Sequence, residues 1–336
     1  MNDSNEKQIK LENTSEIEQL ETKIKELQGP MNELRKPIVV YLGCGCKGGI
    51  GKTTISVNVA NTIKKLYPDK KTLLIDYDQQ ANASTLANVN TENQMNEYND
   101  IGSYCYELIM KNKAIMKEDV EKLIYTPKFE RRVQKQGSIQ WETLEESYNF
   151  DIIPSSISLS LVEMMFFRST LQMTDEKKEN LLKRIINVIK KHFDYDFILI
   201  DGSPAMGVFM SNCLNASDYV ITPTTLVYTS LVGVNYVLEL ISAMTKTQGL
   251  KARWLGIIIS NAKLRSGSEK MNKEELFNRF GEEAIFQTEI TSTADNENAT
   301  ISEQILSNFN KRSEYQFKCV TLELLERILK AEGKVK

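Results

Sequence analysis

The segment Cys46-Lys47-Gly48-Gly49-Ile50-Gly51-Lys52-Thr53-Thr54 constrains this chain more than any other. It is entered from the apolar run Ile38-Val39-Val40-Tyr41-Leu42 and followed by Ile55-Ser56-Val57-Asn58-Val59-Ala60. A β-branched run, then glycines, then a helix-compatible pattern predicts strand, loop and helix, the setting in which a phosphate-binding loop is built. Glycines allow backbone N–H groups to close around phosphate oxygens where a Cβ would clash, and the following helix points its positive end at them. In such a loop Lys52 neutralises the terminal phosphates and the Thr53 hydroxyl ligates Mg²⁺. Cys46 stands where the pattern G-x-x-x-x-G-K-[ST] has its first glycine, and a second lysine, Lys47, comes next.

Other apolar runs end in polar tips. Thr72-Leu73-Leu74-Ile75 reads as a buried parallel strand leading into Asp76-Tyr77-Asp78-Gln79-Gln80-Ala81-Asn82. Phe197-Ile198-Leu199-Ile200 leads into Asp201 and then Gly202-Ser203-Pro204-Ala205-Met206-Gly207. Tyr219 to Thr224, Leu255 to Asn261 and Ile285 to Ile290 read as further strands. Strands alternating with helical stretches predict an α/β fold, a doubly wound and mostly parallel sheet with helices on both faces. Carboxylates at the C-terminal ends of its strands lie on the rim where such sheets bind ligands. An Asp/Asn-rich turn accounts for any one of these residues, but poorly for strand and pattern together.

Lys-Gly-Gly-Ile-Gly-Lys-Thr-Thr resembles the deviant Walker A loop of the ParA and MinD group of P-loop ATPases. The Asp76 to Asn82 segment resembles that family's Asp-x-Asp-Pro-Gln-x-Asn signature, with Gln79 in place of proline. Phe197 to Gly207 is similar to its Walker B strand and following turn, and Asp218 to Pro223 to its Ala-Asp-x-Val-Ile-x-Pro stretch, with Ser217 for the alanine. The resemblance covers roughly residues 37 to 330. It implies Mg²⁺-dependent ATP hydrolysis, in which the protein supplies position and charge rather than a covalent group. By resemblance, Lys47, Gly48, Gly49, Ile50, Gly51, Lys52, Thr53 and Thr54 bind the nucleotide and Asn261 contacts the adenine. Thr53 and Asp201 hold the metal, Asp76 supports that site, and Asp78 positions the water. Lys47 reaches a partner's nucleotide across a two-fold interface, so ATP is expected to join two copies into a homodimer.

The remainder of the 336 residues bounds these expectations. Five scattered cysteines, Cys44, Cys46, Cys105, Cys213 and Cys319, form no zinc-binding pattern. The single histidine, His192, follows Lys190-Lys191 at the end of a helical pattern and is expected at the surface or as a cap. No apolar run is long enough to span a bilayer and the polar N-terminus carries no signal pattern, so a cytoplasmic protein, nucleoid-associated if it binds DNA, is expected. The formal charge of −3 leaves any DNA contact to a local patch. One candidate is a hairpin-like insertion over 127–147, where Lys128, Arg131, Arg132 and Lys135 precede Trp141. A solvated loop is the plainer account of it.

Two domains' worth of organisation is expected: an N-terminal helical arm over 1–36 and the ATPase domain over 37–336. In the arm, Ile17, Leu20, Ile24 and Leu27 form a stripe, with Ser15 and Glu18 at capping-box spacing and Gly29-Pro30 as its stop. It either lies against its own domain or serves as a dimer or partner-docking element. The expected function is plasmid or chromosome segregation with a centromere-binding adaptor. The arginines that relatives carry beyond the last strand are replaced by Thr291-Ser292-Thr293-Ala294-Asp295-Asn296, which weakens nonspecific DNA binding of the family type. The alternative is a MinD-like ATPase cycling on membranes, which Glu323 and Glu326 in the closing helix disfavour.

Overall fold

The computed structural model describes residues 2–45, 47–89, 99–134, 141–167, 174–262, 267–291, 305–309 and 311–336, with the backbone alone over 2–14, 131–134, 141–142 and 175–176. The strands are β1 (Ile38–Tyr41), β2 (Thr72–Tyr77), β3 (Lys128–Gln134), β4 (Trp141–Ser147), β5 (Asp151–Ile153), β6 (Phe197–Gly202), β7 (Tyr219–Thr224) and β8 (Arg253–Ile259). The helices are α1 (Asn2–Asn32), α2 (Lys52–Leu66), α3 (Asn82–Leu86), α4 (Ile101–Met110), α5 (Lys117–Lys122), α6 (Ser158–Phe166) and α7 (Asp175–Glu179). They continue with α8 (Leu181–His192), α9 (Val208–Ala216), α10 (Tyr228–Gln248), α11 (Gly267–Phe280), α12 (Leu306–Phe309) and α13 (Lys311–Ala331).

Six strands form one parallel sheet in the order β5-β2-β6-β1-β7-β8. All residues of β1, β2, β6 and β7 are buried, as continuous apolar runs require when helices cover both faces. Val40, Leu74 and Leu199 feed the core beneath α2 and α13, whereas Val39, Ile75 and Ile200 feed the one beneath α4, α8 and α9. β1 lies between β6 and β7, where the winding reverses, so the crevice above its C-terminal end is the binding position for this architecture.

Three expectations need correction. Ser15 does not begin a helix, because α1 runs unbroken from Asn2 to Asn32. Gly29-Pro30 does not stop it either; proline costs one N–H bond, and the helix ends two residues later. The stripe is used within the chain: Leu27 and Met31 are buried, Leu20 and Ile24 pack on the same core, and Lys23 pairs with Glu326 of α13. Third, Ile285 to Ile290 is no regular strand. Its amides at 286 and 290 bond the carbonyls of Ile257 and Ile259, so four residues advance against two and only isolated bridges form.

The 127–147 insertion is the antiparallel hairpin β3–β4. Phe129 anchors it by stacking on Tyr148, with ring centroids 4.6 Å apart. The side chains of Arg131, Arg132 and Trp141 lie outside the described residues, as do Lys135 and Cys46 altogether. Cys44, Cys105, Cys213 and Cys319 form no disulfide among the described residues, and His192 is exposed at the end of α8.

Candidate functional site

Beyond β1 the chain stays wedged between its neighbours: the Leu42 amide donates to the Ile200 carbonyl (3.1 Å) and that of Cys44 to Ile221 (3.3 Å). It then turns through Gly49 (φ 74°) and Gly51 (φ 75°) into α2. No side chain caps the start of α2, so its first amides remain directed at the loop. The tip of β8 props the loop from outside. Ser260 Oγ lies 2.7 Å from the Ile50 carbonyl and 3.2 Å from that of Thr224, and a Cβ on Gly51 would stand 3.1 Å from Ser260. Asn261 Nδ2 reaches the Gly49 carbonyl at 3.4 Å.

The two loop lysines diverge. Lys52 is buried and its ammonium donates to the Lys47 carbonyl (3.0 Å), across the mouth of the loop. Lys47 is exposed and turns outward, donating to Thr229 Oγ1 (2.8 Å) and Ser230 Oγ (3.4 Å) at the start of α10.

Beneath the loop two carboxylates face each other. Asp76 and Asp201 are partners in the β2–β6 register, and both are buried. Asp201 Oδ1 accepts from Ser56 Oγ (3.0 Å), while its Oδ2 is buried with no hydrogen-bond partner among the described residues. Burial pushes Asp201 up to about 6, against the pull of the Thr53 and Ser56 hydroxyls and Lys52. Burial and the neighbouring Asp201 push Asp76 up to about 7. The oxygens of Asp76 are taken by the Asp78 amide (3.2 Å) and by the amide (2.9 Å) and hydroxyl (2.7 Å) of Ser84. Asp78 is buried and accepts from the Gln80 amide at 3.1 Å. Gln79, in the family's proline position, accepts from Ser160 of α6 at 2.9 Å.

A family model described as an AAA domain matches residues 40–253. The sporulation initiation inhibitor protein Soj of Bacillus subtilis is 28% identical over 200 residues, covering 60% of this chain and 63% of Soj. The virulence plasmid ParA family protein pGP5-D of Chlamydia psittaci is 26% identical over 87% of this chain and 93% of its own. The chain belongs to the ParA-type partition ATPases. Among solved structures, apo McdA from Cyanothece superposes with a TM-score of 0.64 at 18% identity, over 87% of this chain and 99% of that one. A plasmid partition protein of Borrelia burgdorferi bound to AMPPNP gives 0.61 at 22%, over 87% and 100%. At these identities the likeness shows the fold.

A ParA-type chain is an ATPase with ATP and magnesium as cofactors, and the residues present fit them. An unpartnered carboxylate oxygen beside two hydroxyls and a lysine, under a loop whose turn excludes a Cβ, suits a hard cation shared with phosphate oxygens. No cluster of three or more His, Cys, Asp or Glu that could hold a metal ion occurs among the described residues. Of the expected residues, Lys52, Thr53, Asp76, Asp78 and Asp201 gather around the loop, Asn261 borders it, and Lys47 points away. Three serines of the site were missed in the sequence: Ser260, which supports the loop, and Ser56 and Ser84, which hold Asp201 and Asp76. Of these, Ser56 alone had a signal there, one helical turn beyond Lys52 on the same face.

Proposed function

We propose that ATP joins two copies of this chain face to face, that hydrolysis releases them, and that the cycle moves plasmid or chromosome DNA with a centromere-binding partner. The observation that carries this is the divergence of Lys47 from its own loop. Lys52 already supplies the cation at the mouth, whereas Lys47 offers an exposed ammonium beyond the rim. A cation at the positive end of α10 is weakly placed, so only the Thr229 and Ser230 hydroxyls hold it there. It is free to serve a neighbour's phosphates. Met206, Val227 and Tyr228, about half exposed on the same rim, supply apolar surface for the second copy to cover.

In this scheme the amides of Gly48 to Thr54 and the Lys52 ammonium hold the phosphates, while Thr53 Oγ1 and Asp201 hold the metal. Asp76 is the buried carboxyl behind that site, fixed by Ser84. Asp78, on the short turn fixed by Gln79 and Ser160, orients the attacking water, and Asn261 meets the base. Magnesium would neutralise charge developing on the transferred phosphoryl group.

The membrane-cycling reading loses its instrument. The apolar face of α13, including Phe317, Leu325, Ile328 and Leu329, is buried in the core, and no described helix is long and apolar enough to cross a membrane. Light scattering with ATP and Mg²⁺ tests the cycle. Lys52→Ala should lose nucleotide binding, Asp78→Ala should bind without phosphate release, and Lys47→Ala should bind ATP but stay monomeric. A Lys47→Ala protein that dimerises on ATP like the parent refutes the trans role.

A further inference from the structure

A chain of net charge −3 needs a local patch to hold a polyanion, and the β3–β4 hairpin is not that patch. Its Lys128, Arg131, Arg132 and Lys135 are matched in number by Glu130, Glu142, Glu145 and Glu146. Lys128 is already paired with Glu145 at 2.7 Å.

Helix α8 is different. Leu181, Leu182, Ile185, Ile186 and Ile189 are buried, and the opposite face carries Lys183, Arg184, Asn187, Lys190, Lys191 and His192 without one carboxylate in the helix. Lys183, Arg184 and Lys191 are exposed and make no ion pair among the described residues. The surrounding acids are largely committed. Asp218 takes the Arg35 guanidinium (2.9 Å) and the Val39 amide (2.9 Å) before Lys190 at 3.6 Å, and Asp194 lies 3.3 Å from Lys71. On the α5 flank, Glu118 and Glu121 are offset by Lys117 and Lys122. Glu179 remains, in a groove of about 670 Å³ where Lys183 and Lys190 are joined by Lys251 and the Asn187 and Asn215 amides.

A basic amphipathic helix often lies on a membrane, but this one has its apolar face locked in the core and offers only charge. From Lys183 to Lys191 the helix rises about 12 Å at ~1.5 Å per residue. Laid along the duplex axis, that length covers three to four base-pair steps at ~3.4 Å each. We propose that the polar face of α8, with Lys251, is a nucleic-acid surface that grips the phosphate backbone of duplex DNA. The inference rests on the DNA-moving cycle proposed above.

The test is fluorescence anisotropy of a labelled random-sequence duplex with the full chain, ATP and Mg²⁺, across a salt series. The triple variant Lys183→Gln, Arg184→Gln, Lys191→Gln should bind at least tenfold more weakly at low salt. Its slope of log affinity against log salt should be shallower by about 3 per protomer. DNA-free ATP turnover and ATP-dependent dimerisation should be unchanged, since none of the three residues touches the nucleotide site. The hairpin variant Lys128→Gln, Arg131→Gln, Arg132→Gln should bind like the parent. If the parent binds duplex and dimerises but the α8 variant keeps the parental slope, the α8 assignment fails and the ATP cycle stands. A parent that dimerises on ATP without binding duplex refutes the assignment and the DNA-moving role together. Loss of binding to vesicles of anionic lipid, with duplex binding intact, would make α8 a membrane surface and overturn the proposal.

Discussion

Asp201→Asn should make the ligand-free protein more stable and the protein with ATP and magnesium less so. Burial raises Asp201 from an ordinary 3.8 to about 6, and Asp76 is raised beside it. Between the unfolded and folded values the native state binds more protons than the unfolded one, so stability is present at low pH and is lost as pH rises through about 6 to 7. A shift of about two units corresponds to roughly 3 kcal/mol of strain at pH 8, at ~1.36 kcal/mol per unit. Asparagine removes that charge, relieves Asp76 and still accepts from Ser56, so about 1–3 kcal/mol should be recovered. For a chain of this size that is a rise in Tm of roughly 1–4 °C at pH 8. It should fall to about half at pH 5, which lies between the unfolded 3.8 and the folded value of about 6, and vanish only below about pH 4. Saturation with ATP and magnesium, worth about 2.7 kcal/mol to the parent at a hundredfold excess over Kd, should add little to the variant. Differential scanning calorimetry at both pH values, with and without the nucleotide, reads all four corners. A variant less stable than the parent at pH 8, or one that gains the parental increment from the nucleotide, would show that Asp201 is a structural acid and not the metal's.

Gly51→Ala forces a Cβ onto φ 75° and to 3.1 Å from Ser260. At about 1–2 kcal/mol for the left-handed backbone, it should weaken ATP at least tenfold by isothermal titration while lowering Tm by only a few degrees. Arg327 donates to the carbonyls of Leu255, Glu283 and Ile285, pairs with Glu323 and lies 4.2 Å from the Phe286 ring centre. Lysine cannot reproduce that fork, so Arg327→Lys should cost about 2–4 kcal/mol in urea unfolding with ATP turnover per folded molecule unchanged.

The parts of the site that could be read in the sequence are those in which one residue type at the end of one apolar run suffices. Asp76, Asp78 and Asp201 each stand at the C-terminal end of a buried strand, and Lys52 follows glycines whose purpose is steric. The parts that could not be read are hydroxyls joining distant segments. Ser260 supports a loop 210 residues before it, and Ser84 fixes Asp76 from the next helix. Serine has no periodic signature, so its partner appears only when the chain has folded. Elements failed for the same reason. The α1 stop at Pro30 was a local signal overridden by the packing of Leu27 and Met31, and the strand at 285–290 was a local pattern overridden by register. At Gly256 (φ 137°), β8 admits the Ala284 carbonyl so closely that a Cβ there would stand 2.4 Å away, and the next segment therefore leaves step. The direction of Lys47 was implied only by the family resemblance; within this chain it is the folded rim, with Thr229 and Ser230 brought alongside from 182 and 183 residues away, that turns it outward.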